Sequence, residues 1–222
     1  MVEAQEIATR STDWVLLVLL MVGFFLTLAK LANTSRFQFF LKLPFDVSSR
    51  EWASVYNPFF SKRISDFLMS LSALLSITLA IFFIQTFWEQ QRPVSNAWLP
   101  YLRVLFFTSL IYLLKTLLGS FIAAVFEVQE EITAAQNINL AFLTWLVVPI
   151  YPLLVVTAFA GWPQAFWPKI LLILLALGAL LAFWQTARTV IKIGPALSYN
   201  IFYLCALEIS PIIFLILVVQ KI

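Results

Sequence analysis

The chain has 222 residues, of which 62% are hydrophobic and only 11% are charged, and its formal net charge is +3. This composition excludes an ordinary soluble domain and is typical of a protein embedded in a membrane. A single cysteine and no histidine exclude an internal disulfide, histidine-ligated haem, the usual zinc ligand sets and serine–histidine catalysis. We therefore predict no metal site and no cofactor.

Six apolar runs are long enough to cross a hydrocarbon core of about 30 Å, which takes roughly 20 helical residues. The runs are too long and too uniformly apolar for the strands of a membrane barrel. The sequence thus predicts an all-α, polytopic membrane protein with one transmembrane helical domain over residues 1–222. The predicted spans lie near residues 14–32, 67–88, 104–126, 138–160, 170–187 and 198–219.

Acidic residues rather than basic ones precede the first span. Glu3, Glu6 and Asp13 stand there against a single Arg10. A cleavable signal peptide opens with a basic region, so we expect the first span to remain in the mature protein.

The first connection carries the segment RFQFFLKLPFD, in which aromatic and basic side chains are interleaved. This composition suits a segment that lies on the membrane surface and binds anionic headgroups or a partner protein. The residues assigned to this surface are Arg36, Phe37, Phe39, Phe40 and Lys42. The alternative is a loop that packs under the helical bundle.

Basic residues are more frequent on the side of this first connection, where eight are counted against five on the other side. Cytoplasmic loops of membrane proteins carry the excess of lysine and arginine. The bias therefore predicts a cytoplasmic first connection and both termini outside.

Small and polar residues occur within the second and third spans. Ser72 and Ser76 offer a stripe for hydrogen bonds between helices, and the Gly119/Ala123 and Ser120/Ala124 spacings allow close approach of another helix. Packing within the bundle is the simplest interpretation of both patterns.

Lys115 lies near the middle of the predicted third span, and the same helix face carries Thr108 and Tyr112. An ionisable residue within the membrane is a functional hypothesis and needs a partner. In the fourth span, Pro149 and Pro152 remove two backbone donors, so we expect a kink or break there. Broken helices mark substrate sites in transporters, but they also occur as plain kinks.

The last span contains Glu208 at a similar depth, with Cys205 and Pro211 on its face. A neighbouring side chain of opposite charge lowers the free-energy cost of placing either residue in hydrocarbon. We therefore predict an intramembrane polar pair between Lys115 and Glu208. Protonation of Glu208 is the alternative.

The segment LSYNIFYLCALEISPIIFLILVVQKI resembles the C-terminal signature of an integral membrane family from Bacteroidota, domain-of-unknown-function family 4271. The resemblance extends upstream through NPFFSKR and LLKTLLGSFIAAVFEVQEE, and so covers about the last 165 residues. It implies a multi-pass protein of the bacterial cytoplasmic (inner) membrane. It supplies no catalytic residue.

No complete catalytic constellation is visible, because Asp13, Asp46 and Asp66 lie outside the spans or at their ends. The sequence therefore favours a non-catalytic scaffold, assembly factor or subunit of a membrane protein complex. Its expected partners are membrane lipids, including anionic headgroups, and other membrane proteins or further copies of itself, with no nucleic acid. The alternative is a small proton- or ion-coupled transporter that uses the Lys115–Glu208 pair, and a lipid-modifying enzyme is a third hypothesis.

Overall fold

The structure is a computed structural model that describes residues 2–34, 37–38, 60–88, 98–125, 129–159 and 166–193. These residues form long α-helices and no strand. We number the helices α1 (Val2–Ala32), α2 (Phe60–Trp88), α3 (Trp98–Val125), α4 (Gln129–Phe159) and α5 (Phe166–Ile193).

All five described helices are long and apolar enough to cross a membrane. The all-α class is confirmed, and length and composition indicate a multi-pass membrane protein. The sixth predicted span, 198–219, lies outside the described residues.

The described helices begin earlier than the predicted spans. α2 starts at Phe60 instead of near residue 67, and α3 starts at Trp98 instead of near residue 104. The prediction followed hydropathy, whereas a helix continues beyond its apolar run into the headgroup region, where charged side chains are tolerated. Arg103 and Lys169, both exposed near the beginnings of α3 and α5, fit this explanation.

Helices α2 and α4 form the centre of the bundle, because each packs against all of the other described helices. α1, α3 and α5 surround this central pair. The core between them is filled by apolar side chains with no solvent exposure, among them Val22, Leu79, Val147, Ile150, Leu154 and Leu171.

Cross-helix contacts show how the helices are aligned. The rings of Trp14 and Phe82 lie 5.3 Å apart, and the Ser65 hydroxyl donates to the Ala29 carbonyl over 3.3 Å. α1 and α2 are therefore antiparallel. We call the end of the bundle near Trp14 and Phe82 the first end, and the end near Ala29 and Ser65 the second end.

Candidate functional site

The proline pair lies near the middle of the apolar part of α4, which runs from Ala141 to Phe159. Pro149 leaves the carbonyl of Trp145 without its usual donor four residues later, and Pro152 does the same for Val148. The helix nevertheless continues through both prolines, from Gln129 to Phe159. The two prolines therefore remove two backbone hydrogen bonds without interrupting the helix.

Tyr151, between the two prolines, joins α4 to α1. Its hydroxyl donates to the Leu19 carbonyl at 3.4 Å, which is a long and weak hydrogen bond. A Cβ atom added at Gly23 would come within 2.8 Å of the same hydroxyl oxygen. Gly23 thus provides the space that brings the proline segment of α4 against α1.

Apolar side chains cover the inward side of this segment. Val22 of α1, Ala73 of α2 and Val147 of α4 form one buried cluster, and Tyr151 packs against it. Val22, Val147 and Ile150 have no exposed surface. The inward side of this segment, formed by Val147, Ile150 and Tyr151, therefore packs among apolar side chains, whereas Pro152 is exposed on the outer side.

Two of the four buried hydroxyls described on α2, those of Ser72 and Thr78, bind carbonyls of their own helix. Ser72 donates to the Met69 carbonyl at 2.7 Å, so this hydroxyl does not donate to another helix. This is a common arrangement, because a serine in a helix reaches a carbonyl of the preceding turn without any rearrangement. Ser76 is fully buried, and its hydroxyl has no hydrogen-bond partner among the residues that the structure describes.

Lys115 lies on the side of α3 that faces the bundle. Thr108, Tyr112 and Lys115 are half-buried and Gly119 is buried, so the predicted polar face is an inward face. The Thr108 hydroxyl donates to the Val104 carbonyl of its own helix at 2.9 Å. Thr108, Tyr112 and Lys115 thus lie on one face of α3, which is turned toward the bundle.

The depth of Lys115 differs from the expected mid-span position. The apolar part of α3 runs from Trp98 to Phe121, so Lys115 is 17 residues after its beginning and 6 before its end. At a rise of 1.5 Å per residue, the lysine lies about 9 Å from the second end of this apolar part. The difference arises because α3 begins earlier than predicted.

An aromatic cluster that the sequence analysis did not predict closes the first end of the bundle. The ring centroid of Trp14 lies 5.3 Å from that of Phe82 and 5.2 Å from that of Tyr101. Trp14 Nε1 and the Tyr101 hydroxyl are buried and have no hydrogen-bond partner within the described part of the chain. Trp14 and Tyr101 each lie near the beginning of an apolar helical run, where amphipathic rings are enriched. This position is the sequence feature that could have indicated the cluster.

The remaining predicted residues fall mainly outside the described part of the chain. Arg36, Phe39, Phe40 and Lys42 of the first connection lie there, as do Cys205, Glu208 and Pro211. Phe37 is described and half-buried, and it packs against the cluster of Ala29, Met69 and Phe142 at the second end. This aromatic ring thus contacts the bundle itself.

Five apolar helices around a close-packed apolar centre define the described part of the chain as a helical, multi-pass type of membrane protein. The chain belongs to the family described as Domain of unknown function (DUF4271), whose model matches residues 15–219. The match includes most of α1, all of the other described helices and the predicted last span, and it confirms the family resemblance. Comparisons with curated proteins and with solved structures gave no significant match.

Proposed function

We propose that the protein is a non-catalytic component of a membrane protein complex, acting as a scaffold, assembly factor or subunit in the bacterial inner membrane. The packing around Pro149 and Pro152 carries this proposal. A carrier places a hydrated substrate site at such a helix break. Here Val147 and Tyr151 on the inward side of the segment pack against Val22, and Val22 and Val147 have no exposed surface.

The outer surface of the bundle supports the same function. Large apolar side chains on three different helices are more than half exposed, including Leu20 of α1 (63%), Phe106 of α3 (64%) and Leu180 of α5 (64%). Such surfaces serve to contact lipid and other membrane helices. The first connection, through Arg36, Phe39, Phe40 and Lys42, adds a proposed contact with anionic headgroups or with a partner.

One observation favours the alternative, a small proton- or ion-coupled transporter. The Ser76 hydroxyl is buried near the level of the proline pair and lacks a hydrogen-bond partner among the described residues. Together with Lys115 and Glu208, it would be a polar group available to a transported ion.

Water access to Ser76 distinguishes the two functions. Ser76→Cys and, as a control, Thr34→Cys are made in a Cys205→Ser background, since Thr34 is exposed just beyond the end of α1. A small water-soluble thiol reagent should modify the cysteine at position 34 and leave that at position 76 unmodified. Modification at both positions with similar rates would establish a hydrated interior and favour the transporter.

A photo-crosslinking amino acid tests for partners. It is placed at Leu20, Phe106 and Leu180 in turn, and at the fully buried Leu154 as a control. The scaffold function predicts discrete adducts with other membrane proteins from at least one exposed position and none from Leu154. Adducts with lipid alone at every exposed position would contradict it.

A further inference from the structure

Helices α1 and α3 enter the bundle at the same level. Trp14 lies near the beginning of the apolar part of α1 and Tyr101 near that of α3, and their ring centroids are 5.2 Å apart. Both rings also lie close to the ring of Phe82, at 5.3 and 6.1 Å. Since α1 and α3 both run from the first end toward the second, equal numbers of residues after Trp14 and Tyr101 reach about equal depths.

One lysine of each helix then lies at nearly the same depth. Lys30 is 16 residues after Trp14, and Lys115 is 14 residues after Tyr101. At a rise of 1.5 Å per residue, the two lysines lie about 24 and 21 Å from the level of these rings, and so differ by only about 3 Å in depth. Lys30 is exposed and Lys115 is half-buried.

The membrane boundary at the second end lies close to both lysines. α1 ends at Ala32, two residues after Lys30. Ala32 is about 27 Å from the level of Trp14, close to the thickness of a hydrocarbon core of about 30 Å. Lys115 is therefore about 6 Å from the level at which α1 ends. The flexible stem of a lysine can cover such a distance and place the ammonium group among the headgroups.

The length of α3 agrees with this placement. Its apolar part, Trp98–Phe121, has 24 residues and measures about 36 Å, which exceeds the thickness of the hydrocarbon core. The end of this part therefore does not mark the membrane boundary. Sequence alone places Lys115 at mid-span, whereas the contact between Tyr101 and Trp14 moves the lysine toward the second end.

We propose that Lys30 and Lys115 bind the lipid phosphates of the leaflet at the second end. Lysines at this depth are attracted by anionic headgroups. The first connection begins at the same end, so Lys115 joins the basic residues of the predicted cytoplasmic side and raises their excess from eight against five to nine against five. This placement also removes Lys115 from the polar groups that a transporter would offer to an ion inside the membrane.

Depth measurements on the full-length protein in lipid bilayers test the placement with both lysines intact and independently of the scaffold function. A nitroxide label is attached to a single cysteine in a Cys205→Ser background, and its accessibility to oxygen and to a polar nickel complex gives its depth. The labelled positions are three exposed leucines of one face of α3, namely Leu110, Leu114 and Leu118. We expect the label at position 110 to be the deepest and that at position 118 to reach the headgroups, because they lie about 14 and 26 Å from the level of Tyr101.

Two exposed positions of α1 provide matched controls. Phe24 and Leu31, which are 60% and 75% exposed, follow Trp14 by ten and 17 residues. A label at position 24 should match the depth at position 110, and one at position 31 should match the depth at position 118. If the label at position 114 is instead the deepest of the α3 series, Lys115 lies at mid-membrane and the proposal is wrong.

The lipid dependence of stability tests the phosphate contact itself. We expect phosphatidylglycerol vesicles to raise the melting temperature of the unmodified protein relative to phosphatidylcholine vesicles, and the double variant Lys30→Gln with Lys115→Gln to lose part of this rise. The double variant Lys30→Arg with Lys115→Arg keeps both charges and should retain it. An undiminished rise in the glutamine variant would overturn the headgroup contact. Should that variant fail to accumulate, the depth series, made with both lysines in place, still decides the proposal.

Discussion

Helices α2 and α3 have nearly the same length, 29 and 28 residues, and both are apolar enough to cross a membrane. However, 44% of the most apolar stretch of α2 is buried inside the bundle, whereas only 6% of that of α3 is buried. The buried face of α2 combines small residues, among them Ser65, Ala73 and Ala80, with the larger Met69, Leu79 and Phe82. The outer face of α3 carries leucine and phenylalanine instead. Since lipid tails are as apolar as leucine, close packing rather than hydrophobicity selects the interior. Small buried residues are thus one feature that distinguishes the central helix α2 from the peripheral helix α3.

The largest expected effect compares a leucine of the centre with a leucine of α3. Leu154 has no exposed surface, whereas Leu113 is 53% exposed. We expect Leu154→Ala to destabilise the protein by about 2–3 kcal/mol. This is near the lower end of the range for core truncations, because lipid solvates the leucine side chain when the helices are apart. Leu113→Ala should change stability by less than about 0.5 kcal/mol.

Reversible unfolding in mixed detergent micelles provides the measurement for both variants. Equal losses for Leu154→Ala and Leu113→Ala would mean that α3 is as firmly packed as the centre. That result would contradict the difference in packing between α3 and the centre. It would indicate that another protein segment covers the outer face of α3.

A smaller effect is expected where α5 meets the central helix α4. A Cβ atom at Gly178 would overlap the side chain of Leu146, so Gly178→Ala should cost about 1–2 kcal/mol through overpacking. The exposed neighbour Ala179 provides the control, since Ala179→Leu adds more volume without such a contact and should be nearly neutral.

Thermal unfolding would report this difference as a lower melting temperature for Gly178→Ala alone. Adding Leu146→Ala should recover part of the Gly178→Ala loss, because it removes the side chain that obstructs the new methyl group. If the two losses simply add, the glycine is not needed for the approach of α5.

The sequence predicted the helical class and, among its six spans, the five that the structure describes, because apolar run length is a local property. It did not predict which helices form the centre. In a chain where every face is apolar, hydropathy does not separate a lipid-facing leucine such as Leu113 from a buried one such as Leu154. The contact of Tyr151 with Gly23 was missed for a related reason, since it depends on which helices are neighbours.

The smallest effect concerns two serines, Ser76 of α2 and Ser120 of α3. Ser76 is fully buried and its hydroxyl has no hydrogen-bond partner in the described part of the chain, and an unsatisfied buried hydroxyl costs free energy. Ser76→Ala should therefore stabilise the protein by about 0.5–1 kcal/mol, after allowance for the small void that it leaves.

Ser120→Ala should change stability by less than about 0.5 kcal/mol. The Ser120 hydroxyl is exposed and donates only to the Thr116 carbonyl of its own helix, which already accepts a backbone hydrogen bond. The same unfolding measurement in micelles compares both serine variants with the unmodified chain. A loss of stability in Ser76→Ala would require an acceptor for this hydroxyl, such as a water molecule or a bound ion. The interior beside the proline pair would then be hydrated, and the transporter rather than the scaffold would become the better account of this family member.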